Sequence, residues 1–403
     1  MNGITALLVD VFVIYAAARV SAELFERLHQ PAVIGELLAG LVIGPYGLGL
    51  LGTVDVGLLQ AFHEDLAAAR EAQQLVYHLL AELGIVVLLF FVGLEMRVGD
   101  VMQVGGHASL VGVLGVLIPL TMGYGLMSVL GYSGIEALFI GTALVATSVG
   151  VTARVLRDIG AIATVEARII LGAAVIDDIL ALMLLSVVTG IASTGSVRPL
   201  EIGLIVVQAV GFTVFVALIG VGAIRRFDLH LATLRMENPP LSVALLTMLG
   251  LAALAGTVGL AAIIGAFLAG IVFAEARQQP QIHEQTLPIY QFLAPFFFLI
   301  AGSQVDWRVF LNVELLGLAL GVTVLAILGK LLGGALPVFR LGLRSMAAIG
   351  TGMIPRGEVG LIVASLGLSL GAIPEALFSV VVIMSILTTL VTPPVLRALL
   401  RER

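Results

Sequence analysis

The chain has 403 residues, 60% of them hydrophobic and 11% charged, with mean hydropathy +1.15 and a formal net charge of −6. Soluble domains carry about a quarter charged residues, so this composition excludes a soluble globular enzyme and points to a polytopic membrane protein. The absence of cysteine removes disulfides, thiolate nucleophiles and Cys-ligated metals, and no basic cluster beyond pairs such as Arg225–Arg226 offers a nucleic-acid surface.

Windows of about 20 apolar residues mark thirteen spans in an all-α chain. In chain order they fall near 4–28, 31–45, 75–95, 105–131, 135–158, 163–191, 200–224, 240–257, 260–276, 284–302, 309–338, 345–370 and 374–399. The first window lacks a positive leader and runs past residue 20, so it reads as a span and not as a cleaved signal. The polar interval 53–74, with His63, Glu64, Asp65, Arg70 and Glu71, reads as a short amphipathic helix on the outer surface. No regulatory domain is expected after Arg403.

Cations set the orientation. Numbered from an external N-terminus, one side collects Arg19, Arg27, Arg97, Arg154, Arg157, Arg168, Arg225, Arg226, Arg235, Arg277, Arg340, Arg344, Arg397, Arg401 and Arg403. The other side holds Arg70, Arg198 and Arg308, a bias of fifteen to three. By the positive-inside rule this supports thirteen spans with the C-terminus in the cytoplasm. Two of the 20 cations fit no loop: Lys330, the sole lysine, inside GVTVLAILGKLLGGALPV, and Arg356 in MIPRGEVG.

The fifth window, GTALVATSVGVTARVL, clusters Thr142, Thr147, Ser148, Gly150 and Thr152 where lipid-facing helices carry Leu and Ile. The twelfth, AAIGTGMIPRGEVGLIV, carries Gly350, Gly352, Pro355 and Gly357, which break a helix near its middle. Backbone groups freed at that depth must be covered by protein, ions or water, so such breaks line sites. Windows 5 and 12, 6 and 13, and 4 and 11 share an offset of seven, and an odd offset reverses direction. This predicts two inverted six-helix repeats, residues 1–192 and 238–403, joined by a connector helix at 200–224, with crossed broken helices.

The sixth window centres on GAAVIDDILAL, residues 172–182, where Asp177 and Asp178 stand in the middle of a membrane-length apolar run. Buried carboxylates at mid-depth are costly and mark function. Successive helical residues point about 100° apart, so the two have different surroundings and different tasks. Low dielectric disfavours a charged carboxylate and a nearby ammonium restores it, so a pair between Lys330 and one aspartate is expected. The other is then available to a proton or a small hard cation, with hydroxyl and carbonyl oxygens as co-ligands. Arg356 and Glu358, flanking the break after Pro355, are expected to pair with each other or with another buried acid as scaffold. Asp10, Glu36 and Glu82 read as packing or helix-end residues, and no spacing of the six histidines makes a metal pair.

ATSVGVTARVL, LGAAVIDDILAL, AILGKLLGG and GMIPRGEVGLIVASLGL, together with QPAVIGELLAGLVIGP (30–45) and LAELGIVVLLFFVGLEMR (80–97), resemble the second group of the monovalent cation/proton antiporter superfamily, nearest its double-aspartate bacterial sodium/proton antiporters. The resemblance covers nearly the whole chain. It implies a thirteen-helix homodimer in the bacterial inner membrane, without cofactor. A mobile core of 105–192 and 309–400 would stand beside a dimerisation domain of 1–95 and 200–302, with elevator-type alternating access between them. Carried over by position, Asp178 would bind Na⁺ or the proton in turn, Asp177 would partner Lys330, and Thr147 and Ser148 would stand beside the ion. Related glutathione-gated potassium/proton antiporters carry Gln at the first motif position and the electroneutral group carries Asn; Asp177 with Lys330 favours electrogenic exchange. The transported partners are then H⁺ and Na⁺ or Li⁺, with K⁺ the alternative. An intramembrane aspartyl hydrolase is disfavoured, since a dyad needs facing carboxylates and no GxGD occurs.

Overall fold

The computed structural model describes residues 3–28, 30, 32–51, 62, 65–96, 98–194, 199–220, 222, 224, 226, 237–276, 278–304, 308, 313–356 and 358–400. All regular structure among them is helical: α1 (Gly3–Arg27), α2 (Ala32–Ile43), α3 (Leu66–Leu94), α4 (Val98–Val129), α5 (Gly134–Ala143), α6 (Val149–Asp158), α7 (Val165–Thr194), α8 (Pro199–Phe215), α9 (Pro239–Thr257), α10 (Ala262–Ala274), α11 (Gln279–Ser303), α12 (Val313–Ala335), α13 (Leu343–Gly352), α14 (Glu358–Ser369) and α15 (Glu375–Leu400). A π-helical turn (Val216–Gly220) extends α8, and a 3₁₀ segment (Leu336–Leu341) follows α12. Eight of these helices are long and apolar enough to cross a membrane.

Two windows hold a pair of short helices each. The fifth is interrupted after Ala143 and resumes at Val149; the twelfth stops at Gly352 and resumes at Glu358. One boundary differs from the sequence reading. Residues 66–74 are the first turns of α3 and not part of a separate surface helix, while His63 and Glu64 lie outside the described residues. Polar side chains do not end a helix whose backbone bonds continue. Gln73 and Tyr77 of α3 both donate to one oxygen of Asp10, each at 2.8 Å, which gives their polar groups a half-buried partner on α1.

The chain divides into two compact units, Met1–Leu88 with Glu284–Leu311, and Leu89–His283 with Asn312–Arg403. In the first, α2 closes on its neighbours through glycines. A Cβ at Gly40 would strike the Leu299 carbonyl and one at Gly302 the Leu37 carbonyl, so helix backbones touch there. Ile14, Ala18, Tyr77, Phe296 and Leu299 pack around this contact.

In the second unit, α4 packs against α7 and α12 by the same device. A Cβ at Gly112 would stand 2.9 Å from Ile176 of α7, and one at Gly333 would stand 2.7 Å from the Leu114 carbonyl of α4. A Cβ at Gly115 would come within 3.5 Å of the Lys330 ammonium. The bare backbone of α4 therefore makes the space that Lys330 occupies.

Candidate functional site

α7 is 30 residues long, and Asp177 and Asp178 lie twelve and thirteen residues after its first residue, Val165. At 1.5 Å per residue that is roughly 18–20 Å along the helix, near its centre. Asp177 is 0% exposed and Asp178 5%, so the second keeps slight access that the first lacks. Lys330 on α12, also 0% exposed, donates from Nζ to Asp177 Oδ1 at 2.8 Å. Its ammonium also interacts electrostatically with Asp178. Oδ2 of Asp177 is buried and accepts no hydrogen bond from the described residues, so the ammonium engages one edge of the carboxylate only.

The two interrupted pairs meet beside this ion pair. The Ser148 amide, at the start of α6, donates to the Pro355 carbonyl at 2.8 Å. Thr147 Oγ1 donates to the Met353 carbonyl at 3.2 Å and Thr152 Oγ1 to the Gly352 carbonyl at 2.7 Å. The start of α6 thereby satisfies carbonyls left open where α13 ends, as backbone freed inside a membrane requires.

Arg356 sits in the second gap, 1% exposed, and its side chain is directed at carbonyls. Nη1 donates to the Ala146 carbonyl at 3.1 Å, and more distantly to Val145 at 3.4 Å and Met353 at 3.5 Å. Nη2 reaches the Ala326 carbonyl of α12 at 3.5 Å. Helix C-termini carry about half a negative charge, and this guanidinium lies against the C-cap carbonyl of α13, Met353, and the carbonyls of Val145 and Ala146 in the gap after α5. Arg356 also interacts electrostatically with Asp177. The side chain of Glu358 lies outside the described residues. The expected Arg356–Glu358 pair therefore lies outside the described residues, and the described side-chain hydrogen bonds of Arg356 go to those carbonyls.

The structure thus places Asp177, Asp178 and Lys330 in one buried cluster, with Thr147, Ser148, Pro355 and Arg356 together at the neighbouring crossing. Two contributors were not singled out in the sequence. Thr388 and Thr389 on α15 hold the main chain of Arg356: its amide donates to Thr388 Oγ1 at 3.2 Å, and its carbonyl accepts from Thr389 Oγ1 at 2.8 Å. The available signal was a polar pair inside the apolar run SILTTLV. A second contact, Ser345 Oγ to Glu166 Oε1 at 2.6 Å, ties α13 to the first turn of α7.

This arrangement offers a carboxylate that can hold a proton or a hard cation, next to a second carboxylate already neutralised by an ammonium. Hydroxyls and backbone oxygens lie close by, which suits oxygen-only ligation of a small monovalent ion.

Residues 12–402 match the family described as sodium/hydrogen exchanger, transmembrane. The chain is 36% identical over 416 residues to the high-affinity Na⁺/H⁺ antiporter NhaS3 of Synechocystis sp., covering 98% of this chain and 90% of that protein. It is 32% identical to the Na⁺/H⁺-K⁺ antiporter GerN of Bacillus cereus, covering 96% and 95%, and 31% identical to a Na⁺/H⁺ antiporter of Enterococcus hirae, covering 95% of each. Among solved structures, the fold is similar to that of the sodium proton antiporter MjNhaP1 of Methanocaldococcus jannaschii, with TM-score 0.67 at 17% identity, covering 98% of this chain and 97% of that one.

Proposed function

The chain belongs to the sodium/hydrogen exchanger transmembrane family and is accordingly a Na⁺/H⁺ antiporter and not an enzyme, and we propose that Asp178 is the group that carries Na⁺ and the proton in turn. One observation carries this reading: the fully buried Lys330–Asp177 ion pair stands beside Asp178 at the centre of a membrane-length helix. Asp177 is held by Lys330 and fully buried, whereas Asp178 keeps slight exposure and is the carboxylate that exchanges its ligand. A site that holds a cation or a proton, but not both, couples the two fluxes.

The finer reading follows the same geometry. Na⁺ reaching Asp178 competes with Lys330 for the carboxylate pair and releases Asp177 from its latch. One proton leaves Asp178 and a second leaves the Lys330 ammonium once its partner is released, so more than one proton moves per Na⁺ and exchange is electrogenic. Thr147 and Ser148, with the carbonyls at the crossing, supply the remaining oxygens. The chain spans the inner membrane thirteen times, N-terminus outside and C-terminus in the cytoplasm. It is built as inverted repeats 1–192 and 238–403 joined by 200–224, and works as a homodimer. The core 105–192 with 309–400 moves by an elevator step against a dimerisation domain of 1–95 with 200–302. Repeat symmetry is supported by the broken pairs, whose starts differ by one offset: 343 − 134 = 209 for α13 and α5, and 358 − 149 = 209 for α14 and α6. Li⁺ is a further substrate. K⁺ is the second reading, favoured by the similarity to the protein named a Na⁺/H⁺-K⁺ antiporter.

The test is transport by the purified protein in liposomes. Na⁺ added to one side should collapse an imposed pH gradient and respond to membrane voltage, with K⁺ as the parallel arm. Asp178→Asn should abolish the flux; near-normal Na⁺-driven proton movement in that variant sinks the assignment.

A further inference from the structure

α15 carries Ser385, Thr388, Thr389 and Thr392 at i, i+3, i+4 and i+7, one face of a helix, and all four are buried. Hydroxyls in apolar helices ordinarily return to a carbonyl of their own preceding turn. Thr392 does so, to the Thr388 carbonyl at 2.8 Å, and Thr388 does so, to Met384 at 2.9 Å. Thr389 does not. Its hydroxyl crosses to the Arg356 carbonyl, 33 positions earlier in the chain, while Thr388 Oγ1 also accepts from the Arg356 amide. Both main-chain polar groups of one residue, at a gap inside the membrane, are therefore held by two adjacent side chains of another helix. The Arg356 side chain then spans from that anchor to the Ala146 carbonyl in the gap between α5 and α6 and interacts with Asp177.

We propose that Thr388 and Thr389 are positioning residues for ion exchange: they fix the Arg356 peptide, and through it the place of the guanidinium charge relative to the Asp177–Asp178 pair. Each pair stands near the middle of its own helix. Asp177 and Asp178 lie 12 and 13 residues after the start of α7 (177 − 165 and 178 − 165), and Thr388 and Thr389 lie 13 and 14 after the start of α15 (388 − 375 and 389 − 375). The carboxylate pair in one half and the hydroxyl pair in the other converge on the same crossing. This inference rests on the reading of Asp178 as the ion carrier.

Removing the Thr389 hydroxyl leaves the Arg356 carbonyl without that donor and loosens the anchor, so the guanidinium is no longer held in one place relative to Asp177 and Asp178. A cation held less firmly beside the carboxylates competes less well with protons and Na⁺ there. The experiment compares wild type, Thr389→Val, Thr389→Ser, Thr389→Ala and Thr392→Val in liposomes, reading the pH at half-maximal Na⁺-driven exchange and the apparent Na⁺ affinity at alkaline pH. Thr389→Val and Thr389→Ala should move the pH midpoint upward by about half a unit or more. They should also tighten Na⁺ binding at alkaline pH by a few-fold. Thr389→Ser, which keeps the donor, restores both values, and Thr392→Val leaves both unchanged. Variants that are merely less stable, or slower at an unchanged midpoint and affinity, overturn the proposal. If Thr389→Val does not reach the membrane, the same criterion applies to Thr389→Ala. Asp178→Asn, measured alongside, separates the failures: an active Asp178→Asn defeats the ion-carrier reading, whereas an inactive one with unmoved Thr389 variants defeats the positioning role alone.

Discussion

Replacing Lys330 by Met keeps the bulk of the buried stem and removes only the charge. In the native protein the ammonium and the Asp177 carboxylate are both 0% exposed and 2.8 Å apart, so no solvent screening discounts the interaction. Deleting one partner of such a pair costs about 3–5 kcal/mol, because the other charge is left buried alone. The carboxylate has one escape, which is to take a proton. That escape is easier in acid, so the deficit should be smaller at pH 5 than at pH 8. The sign is fixed by linkage: the variant takes up a proton on folding, so its stability relative to wild type declines as pH rises. Adding Asp177→Asn removes the orphaned charge, and the double variant should recover most of the loss at pH 7. Thermal unfolding in detergent, followed by helical circular dichroism at pH 5 and pH 8, measures all three proteins. A deficit below about 1 kcal/mol, a deficit that does not change with pH, or a double variant no better than the single would refute the reasoning.

Apparent Na⁺ affinity should rise with pH, by up to about tenfold per unit on the acid limb, because one carboxylate serves both ions; a pH-independent affinity in proton-flux titrations contradicts single-site competition. Gly333→Ala should cost about 1–3 kcal/mol and depress exchange, since its Cβ would stand 2.7 Å from the Leu114 carbonyl and 2.8 Å from Gly115 Cα, backbone that cannot yield. The control is Gly125→Ala on α4, where nothing lies within 4 Å; equal unfolding temperatures for the two variants would show that α4 and α12 are not in tight register. Both changes should be read together with immunoblots of the membrane fraction, so that lost protein is not counted as lost flux.

Much of this site was legible because it is anomalous. An aspartate pair, a lone lysine and an arginine within apolar windows stand out against lipid-facing composition, and Gly350, Gly352 and Pro355 mark a break by backbone chemistry alone. The break in the fifth window left a fainter trace, a cluster of hydroxyls. The start of α3 was misread because amphipathic sequence looks alike whether it lies on a surface or turns into a longer helix. Thr388 and Thr389 escaped notice because threonine in a membrane helix usually bonds to its own backbone. Nothing local distinguishes one whose hydroxyl leaves for a neighbour.

The sequence by itself determined that the chain is helical and membrane-embedded, and that charge is buried at three separated places, since hydropathy and the expense of buried ions are properties of local composition. The tertiary structure alone decided who neutralises whom. Lys330 lies 153 positions from Asp177 and could as well have faced Asp178; the backbone contact of α4 with α12, made possible by Gly333, and the space left by Gly115, aim it at the first aspartate. The Arg356 side chain lies against the carbonyls of Val145, Ala146 and Met353, because the crossing of two broken pairs gathers partial negative charge that no single segment carries.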